Sequence, residues 1–221
     1  MRTAPKDASE RGMAARKKTK PSIDEISQAI ARDIQTGRLP AGTWLKQIDL
    51  QERYGCKRLD VRRALDNLVL KRFVQHEPHR GYYVFRLKEP DISENRQVRV
   101  ILESAAAEGV IAHATAEDIA ALTDLAEAFA TKVREGSLLE QFEANNAFHK
   151  ALYGICGNGE LLSLILEYRG RGPAAPLTQW KSFARLEQSA QEHFDMIRAI
   201  EARDVKALRR VTKRHIYQTA E

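Results

Sequence analysis

Between Ser22 and Arg86 the spacing of apolar residues changes period once, from helical to alternating, and that change restricts the fold of this segment to very few choices. A capping box, Ser22-x-x-Glu25, opens a helix whose Ile23, Ile26, Ile30 and Ile34 share one face, and Gly37 stops it. Arg38 to Gly42 forms a turn, and Gln47 to Tyr54 reads as a second short helix ended by Gly55. A third helix is expected from near Asp60, whose side chain suits a helix start. It buries Val61, Leu65 and Leu68, while Arg58 and Arg62 share another face. Two short helices about a tight glycine-containing turn read as a helix-turn-helix. Beyond Arg72 the alternation of Phe73 to Glu77 and of Tyr82 to Arg86, around Pro78-His79-Arg80-Gly81, reads as a β-hairpin with a basic tip. Together these elements predict a winged helix over residues 22–88, with Lys88-Glu89-Pro90 as the linker.

From residue 89 to 221 every periodic stretch is helical and no strand signal occurs. Helices are expected at about 92–113, 116–135, 138–155, 159–168, 182–202 and 204–219, forming an all-α antiparallel bundle. The fold class is thus mainly α, a winged helix-turn-helix followed by a helical bundle. Residues 1–21 are polar and aperiodic and read as a disordered basic arm. No apolar run approaches the roughly 18 residues of a membrane span, and no secretory signal is legible, so a cytoplasmic protein is expected. Cys56 and Cys156 have no C-x-x-C partner and read as core residues, while Trp44 and Trp180 read as packing residues.

The formal charge of +6 conceals an asymmetry. Basic against acidic residues number seven to two in 1–21, 13 to 8 in 22–88 and 16 to 20 in 89–221. A basic front on an acidic back points the winged helix at a polyanion. Arg is the commonest reader of guanine, because it donates two parallel hydrogen bonds. Arg58 and Arg62, one turn apart at the start of the third helix, meet that requirement. Lys57 and Arg63 flank them as phosphate contacts, Arg80 at the wing tip reaches an adjacent groove, and Gly81 lets the backbone approach closely. The expected partner is a double-stranded DNA operator. The basic cluster Lys206, Arg209, Arg210, Lys213 and Arg214 reads instead as a solvated face or a dimer contact.

Three of the six histidines have matched heights. His193 lies about ten residues before the break near Asp204 and His215 lies 11 after it, so an antiparallel helix pair brings them level. His149 sits four residues after Asn145, so both project from one face of an earlier helix. Three imidazoles and an oxygen donor inside a bundle suit a divalent transition metal, zinc first, with nickel or manganese as alternatives. Spacing alone leaves structural histidines equally open. His76, His79 and His113 have no such partners.

The run Ile34-x-x-Gly37-x-Leu39-Pro40-x-Gly42-x-x-Leu45, with Leu50, Tyr54-Gly55, Arg58, Val61-Arg62, Ala64-Leu65, Leu68, Val74 and Arg80-Gly81, resembles the GntR family of bacterial transcription regulators. The chain departs from the family's usual residues at Lys57, Leu59, Asp60 and Arg72, which obscures the operator sequence. Residues 92–219 resemble the FCD ligand-binding domain of its FadR-like branch, through Arg99-x-x-Leu102-Glu103, Asn145-x-x-Phe148-His149, Glu192-His193 and His215. The resemblance implies metal binding at Asn145, His149, His193 and His215, a small carboxylate effector, and a homodimer on a palindromic operator. Asn145 stands where the family more often has Asp, which leaves an occupied site more positive. Arg99 is the candidate second contact for the effector's carboxylate. The function expected is a ligand-responsive regulator, more often a repressor, and not an enzyme. Two alternatives remain: the same regulator binding effector without metal, and a metal-dependent enzyme, against which stands the lack of a placed general base.

Overall fold

The computed structural model describes residues 20–86, 89–170 and 183–217. The arm expected at 1–21 falls almost wholly outside them, as do Lys88 and Trp180. Helix α1 (Ile23–Gln35) opens on the expected capping box, with the Glu25 amide donating to Ser22 Oγ at 3.2 Å and the Ser22 amide to Glu25 Oε2 at 2.7 Å. Helix α2 (Gln47–Tyr54) ends at Gly55, whose φ of 62° is the left-handed conformation that glycine adopts without strain. Helix α3 spans Arg58–Leu70 and begins two residues before the expected Asp60. Its cap position, Lys57, makes no side-chain capping bond, and Asp60 lies within the first turn, where its carboxylate still faces the positive end of the helix dipole.

Strands β1 (Val74–Glu77) and β2 (Gly81–Val84) pair antiparallel, with Val74 opposite Val84 and Glu77 opposite Gly81. Residues 43–45 lie along the other edge of β2: the Leu45 amide donates to the Tyr82 carbonyl at 2.8 Å and the Val84 amide to the Thr43 carbonyl at 2.9 Å. Ile26, Ile30, Ile34, Leu50, Val61, Leu65, Leu68, Val74 and Val84 form one buried cluster beneath the three helices and the hairpin. The Tyr82 hydroxyl donates to Asp66 Oδ1 at 2.6 Å, fastening the wing to α3. Trp44, expected as a packing residue, lies beside the wing and is 54% exposed.

Six further helices follow among the described residues: α4 (Glu89–His113), α5 (Ala116–Glu135), α6 (Leu138–Gly154), α7 (Gly159–Gly170), α8 (Phe183–Glu201) and α9 (Val205–Tyr217). Glu89 and Pro90, expected in a linker, form the first turn of α4, a position where proline's missing N–H costs nothing. Capping boxes at Thr115/Asp118 and Ser137/Glu140 start α5 and α6. Helix α4 packs on α6, α7 and α9, α5 packs on α6 and α8, and α8 packs on α9, around a core that includes Val110, Leu122, Phe148, Leu152, Ile165, Met196 and Ile200. None of the helices is long and apolar enough to cross a membrane among the described residues.

Gly109 marks a close backbone approach in this bundle. A Cβ there would stand 2.1 Å from the Cys156 carbonyl oxygen, a backbone atom that cannot swing aside. Gly109→Ala is expected to cost about 3 kcal/mol, the upper end of ordinary overpacking, and roughly 6–12 °C in Tm for a chain of this size. Thermal unfolding of the variant checks this; a Tm within 2 °C of the parent's would contradict the packing.

Candidate functional site

The turn joining α8 to α9 brings His193 and His215 level, as their spacing requires, and α6 delivers His149 between them. His149 Nε2 lies 3.0 Å from His215 Nε2 and 3.2 Å from His193 Nε2, and the ligand atoms of all three histidines lie within 4.8 Å of one another. All three rings are buried, and Phe148 stacks on His193 with centroids 4.0 Å apart. Burial disfavours the imidazolium, and the neighbouring charge of Arg169 adds to it, so His149 titrates well below its usual range. His193 is held well below by burial, with His215 and Arg169 contributing. His215 is lowered by burial too, although Glu192 opposes the shift.

Neutral rings clustered this way pose a hydrogen-bonding problem. An imidazole nitrogen offers one in-plane position, occupied by either a proton or a lone pair. His149 Nε2 can therefore satisfy only one of its two neighbours. A cation resolves this by accepting lone pairs from all three, and nitrogens each about 2.1 Å from one ion stand roughly 3.0–3.4 Å apart. His215 Nδ1 faces Glu192 Oε2 at 2.8 Å, which directs its Nε2 lone pair inward. Asn145, one turn before His149 on α6, has its Oδ1 buried with no hydrogen-bond partner, and the Nδ1 atoms of His149 and His193 are likewise unpartnered. The four residues thus fit a transition metal by donor type and by the orphaned amide oxygen.

Arginines surround the histidines. Arg99 Nε donates to Glu103 Oε1 at 2.8 Å across one turn of α4, and Arg169, at the end of α7, reaches Glu103 Oε2 at 3.0 Å. The Tyr153 hydroxyl donates to the same Oε2 at 2.7 Å. Burial alone would raise the Glu103 carboxyl, but the two guanidinium charges and the Tyr153 hydroxyl outweigh it and hold it at about 2. On the other side Arg185 grips Glu192 through both terminal nitrogens, at 2.9 and 3.3 Å. Arg99 is therefore an ion-pair partner of Glu103 first. The sequence reading did not single out Arg169, Arg185 or Tyr153. Arg185 and Glu192 lie seven residues apart on one helix, a spacing that could have been noticed; Arg169 meets Glu103 across 66 residues and left no local signal.

In the winged helix, Lys57, Arg58, Arg62 and Arg63 are all exposed. Arg58 Nε donates to Gln47 Oε1 at 3.2 Å, which turns the guanidinium toward the wing. A cleft of about 480 Å3 lies there, lined by Trp44, Lys46, Arg58, His79 and Arg80 among others. Arg62 stands one turn further along, beside the Tyr82 hydroxyl. Arg80 pairs with Glu77 at 2.9 Å, and Gly81 takes a φ of 92°. Of the basic cluster on α9, Arg209 pairs with Glu108 and Arg214 with Asp195, so these two are bound to neighbouring helices within the chain.

Comparison with known proteins places both halves. The family model for "Bacterial regulatory proteins, gntR family" matches residues 22–84, and that for the FCD domain matches residues 94–218. The chain is 22% identical over 203 residues to the HTH-type transcriptional repressor RspR of Escherichia coli K12, covering 92% of this chain and 89% of that one. It is 31% identical over 163 residues to the Uxu operon regulator of Haemophilus influenzae, covering 65% and 59%. Among solved structures, E. coli McbR/YncC superposes with a TM-score of 0.77 at 23% identity, covering 89% of this chain and 93% of that one. A GntR transcriptional regulator from Rhodococcus sp. RHA1 gives 0.73 at 20% identity, covering 89% and 94%.

Proposed function

We propose, from the premise that this chain belongs to the gntR family of bacterial regulatory proteins and carries an FCD domain, and so is a transcriptional regulator and not an enzyme, that it is a metal-dependent sensor of a small carboxylate. It acts in the cytoplasm as a homodimeric repressor on a palindromic operator. The repressor assignment is supported by the relative RspR, which is named a transcriptional repressor. The homodimer is supported by the two-fold symmetry that a palindromic operator imposes on its reader.

The observation that carries the metal reading is the convergence of three neutral imidazole nitrogens that cannot all hydrogen-bond to one another. Asn145, His149, His193 and His215 would hold the ion, and zinc, nickel and manganese all suit this donor set. A bound divalent ion supplies a Lewis-acidic seat for a carboxylate oxygen. None of the four ligands carries a negative charge. Three arginines, Arg99, Arg169 and Arg185, stand near the site against two carboxylates, Glu103 and Glu192. The interior therefore favours an anion. Arg99 spends Nε on Glu103 and has no hydrogen bond from its terminal nitrogens among the described residues, so these are its means of gripping an effector carboxylate. Effector binding shifts operator occupancy only if it distinguishes the DNA-competent arrangement from the incompetent one.

The test uses full-length protein and a duplex recovered by selection from a random pool. Operator affinity is measured by fluorescence anisotropy against a panel of small mono- and dicarboxylates, with protein loaded with zinc, nickel or manganese, and after chelation. The expected result is a carboxylate that weakens binding at least about tenfold, a coupling of ordinary size, in the metal-loaded protein alone. An effect that survives chelation unchanged would assign effector binding to the protein side chains without metal.

A further inference from the structure

Helix α3 carries a residue whose exposure its charged surroundings do not explain. Leu59 is 57% exposed in the first turn. Val61, Ala64, Leu65 and Leu68 define the buried side of α3. At about 100° per residue, Leu59 and Arg63 stand nearly opposite that side and project furthest from the protein. Arg58 and Arg62 lie to one flank, toward α2 and the wing. Leu59 thus occupies the outermost position of the first turn, with Arg62 and Arg63 as its i+3 and i+4 neighbours and Lys57 and Arg58 just before it in the chain.

A leucine exposed there gains nothing from solvent, and its four cationic neighbours attract a polyanion to the same face. The first turn of a recognition helix is the part that meets base edges in the major groove. The apolar group exposed there is the C5-methyl of thymine. We infer that Leu59 is a specificity-determining residue that reads the methyl group of one thymine in each operator half-site. This rests on α3 being the groove-facing helix, and the experiment separates the two.

The experiment uses the full-length protein and the selected duplex, replacing each thymine in turn by deoxyuridine, which removes the methyl and leaves base pairing intact. In the wild type, one symmetry-related pair of replacements is expected to weaken binding about fourfold per half-site, the worth of one buried methyl-sized group, and about 15-fold for both together. Leu59→Ala is expected to bind the thymine and uracil duplexes within twofold of each other, with Leu59→Met retaining the preference. Because Leu59 is exposed, both variants are expected to keep the parent's Tm. If Arg62→Ala weakens binding and no uracil replacement does, or if Leu59→Ala keeps the full preference, the assignment of Leu59 is overturned. If Arg62→Ala and Arg63→Ala both leave specific binding unchanged, the groove-facing role of α3 fails, and the assignment with it.

Discussion

Glu103→Gln is expected to lower the unfolding free energy by about 3–5 kcal/mol, the cost of leaving buried charges uncompensated. Glu103 is 1% exposed and receives Arg99, Arg169 and the Tyr153 hydroxyl on its two oxygens. The amide keeps the shape and removes the charge, so two guanidinium groups lose the carboxylate they share. Against a domain stability of about 5–15 kcal/mol, that loss is large, and urea titration measures it. A difference below about 1 kcal/mol would show the cluster to be open to water. Acid should reveal the same group. Its folded-state pKa is depressed to about 2, so its contribution is complete above the ordinary carboxyl range. That contribution fades as pH falls from about 4.5 toward 2. The variant should show a shallower loss of stability across that window.

Arg62→Ala should weaken operator binding by about 1–3 kcal/mol, equivalent to roughly 5–150-fold per site, with Arg58→Ala in the same range. Both side chains are exposed on consecutive turns of α3, and neither forms an ion pair with a carboxylate among the described residues. Lys57→Ala and Arg63→Ala, if they meet phosphates, should weaken all duplexes alike. Each should reduce the slope of log affinity against log salt by about 0.9 per contact. Anisotropy titrations on selected and scrambled duplexes distinguish the two behaviours. Loss of discrimination in neither Arg58→Ala nor Arg62→Ala would remove both from base reading.

Much of the architecture is legible because it is encoded locally. The capping box at Ser22, the left-handed Gly55 and the change of period after Arg72 each act within a few residues, and each appears where the spacing puts it. The meeting of His193 and His215 is legible for a related reason: a short turn between straight helices makes height a matter of counting. The start of α3 was harder, because Asp60 looks like a cap and serves the helix dipole from within the first turn instead. Pro90 suggested a linker, although proline is also at home in a helix's first turn. Trp44 is large and apolar, yet its place beside the wing leaves it exposed. The arginine shell was least visible. Arg169 and Glu103 meet only because α4 and α7 pack together, and no local pattern records which distant charge a buried carboxylate will find.

The central claim is that the three histidines and Asn145 form a metal centre. Metal content per chain, measured by mass spectrometry on protein stripped with chelator, reloaded and desalted, tests it most directly. One equivalent of zinc, nickel or manganese in the wild type, falling to a small fraction in both His149→Ala and His193→Ala, is the result expected. A wild type that retains no stoichiometric metal after reloading, or variants that keep it in full, would contradict the account.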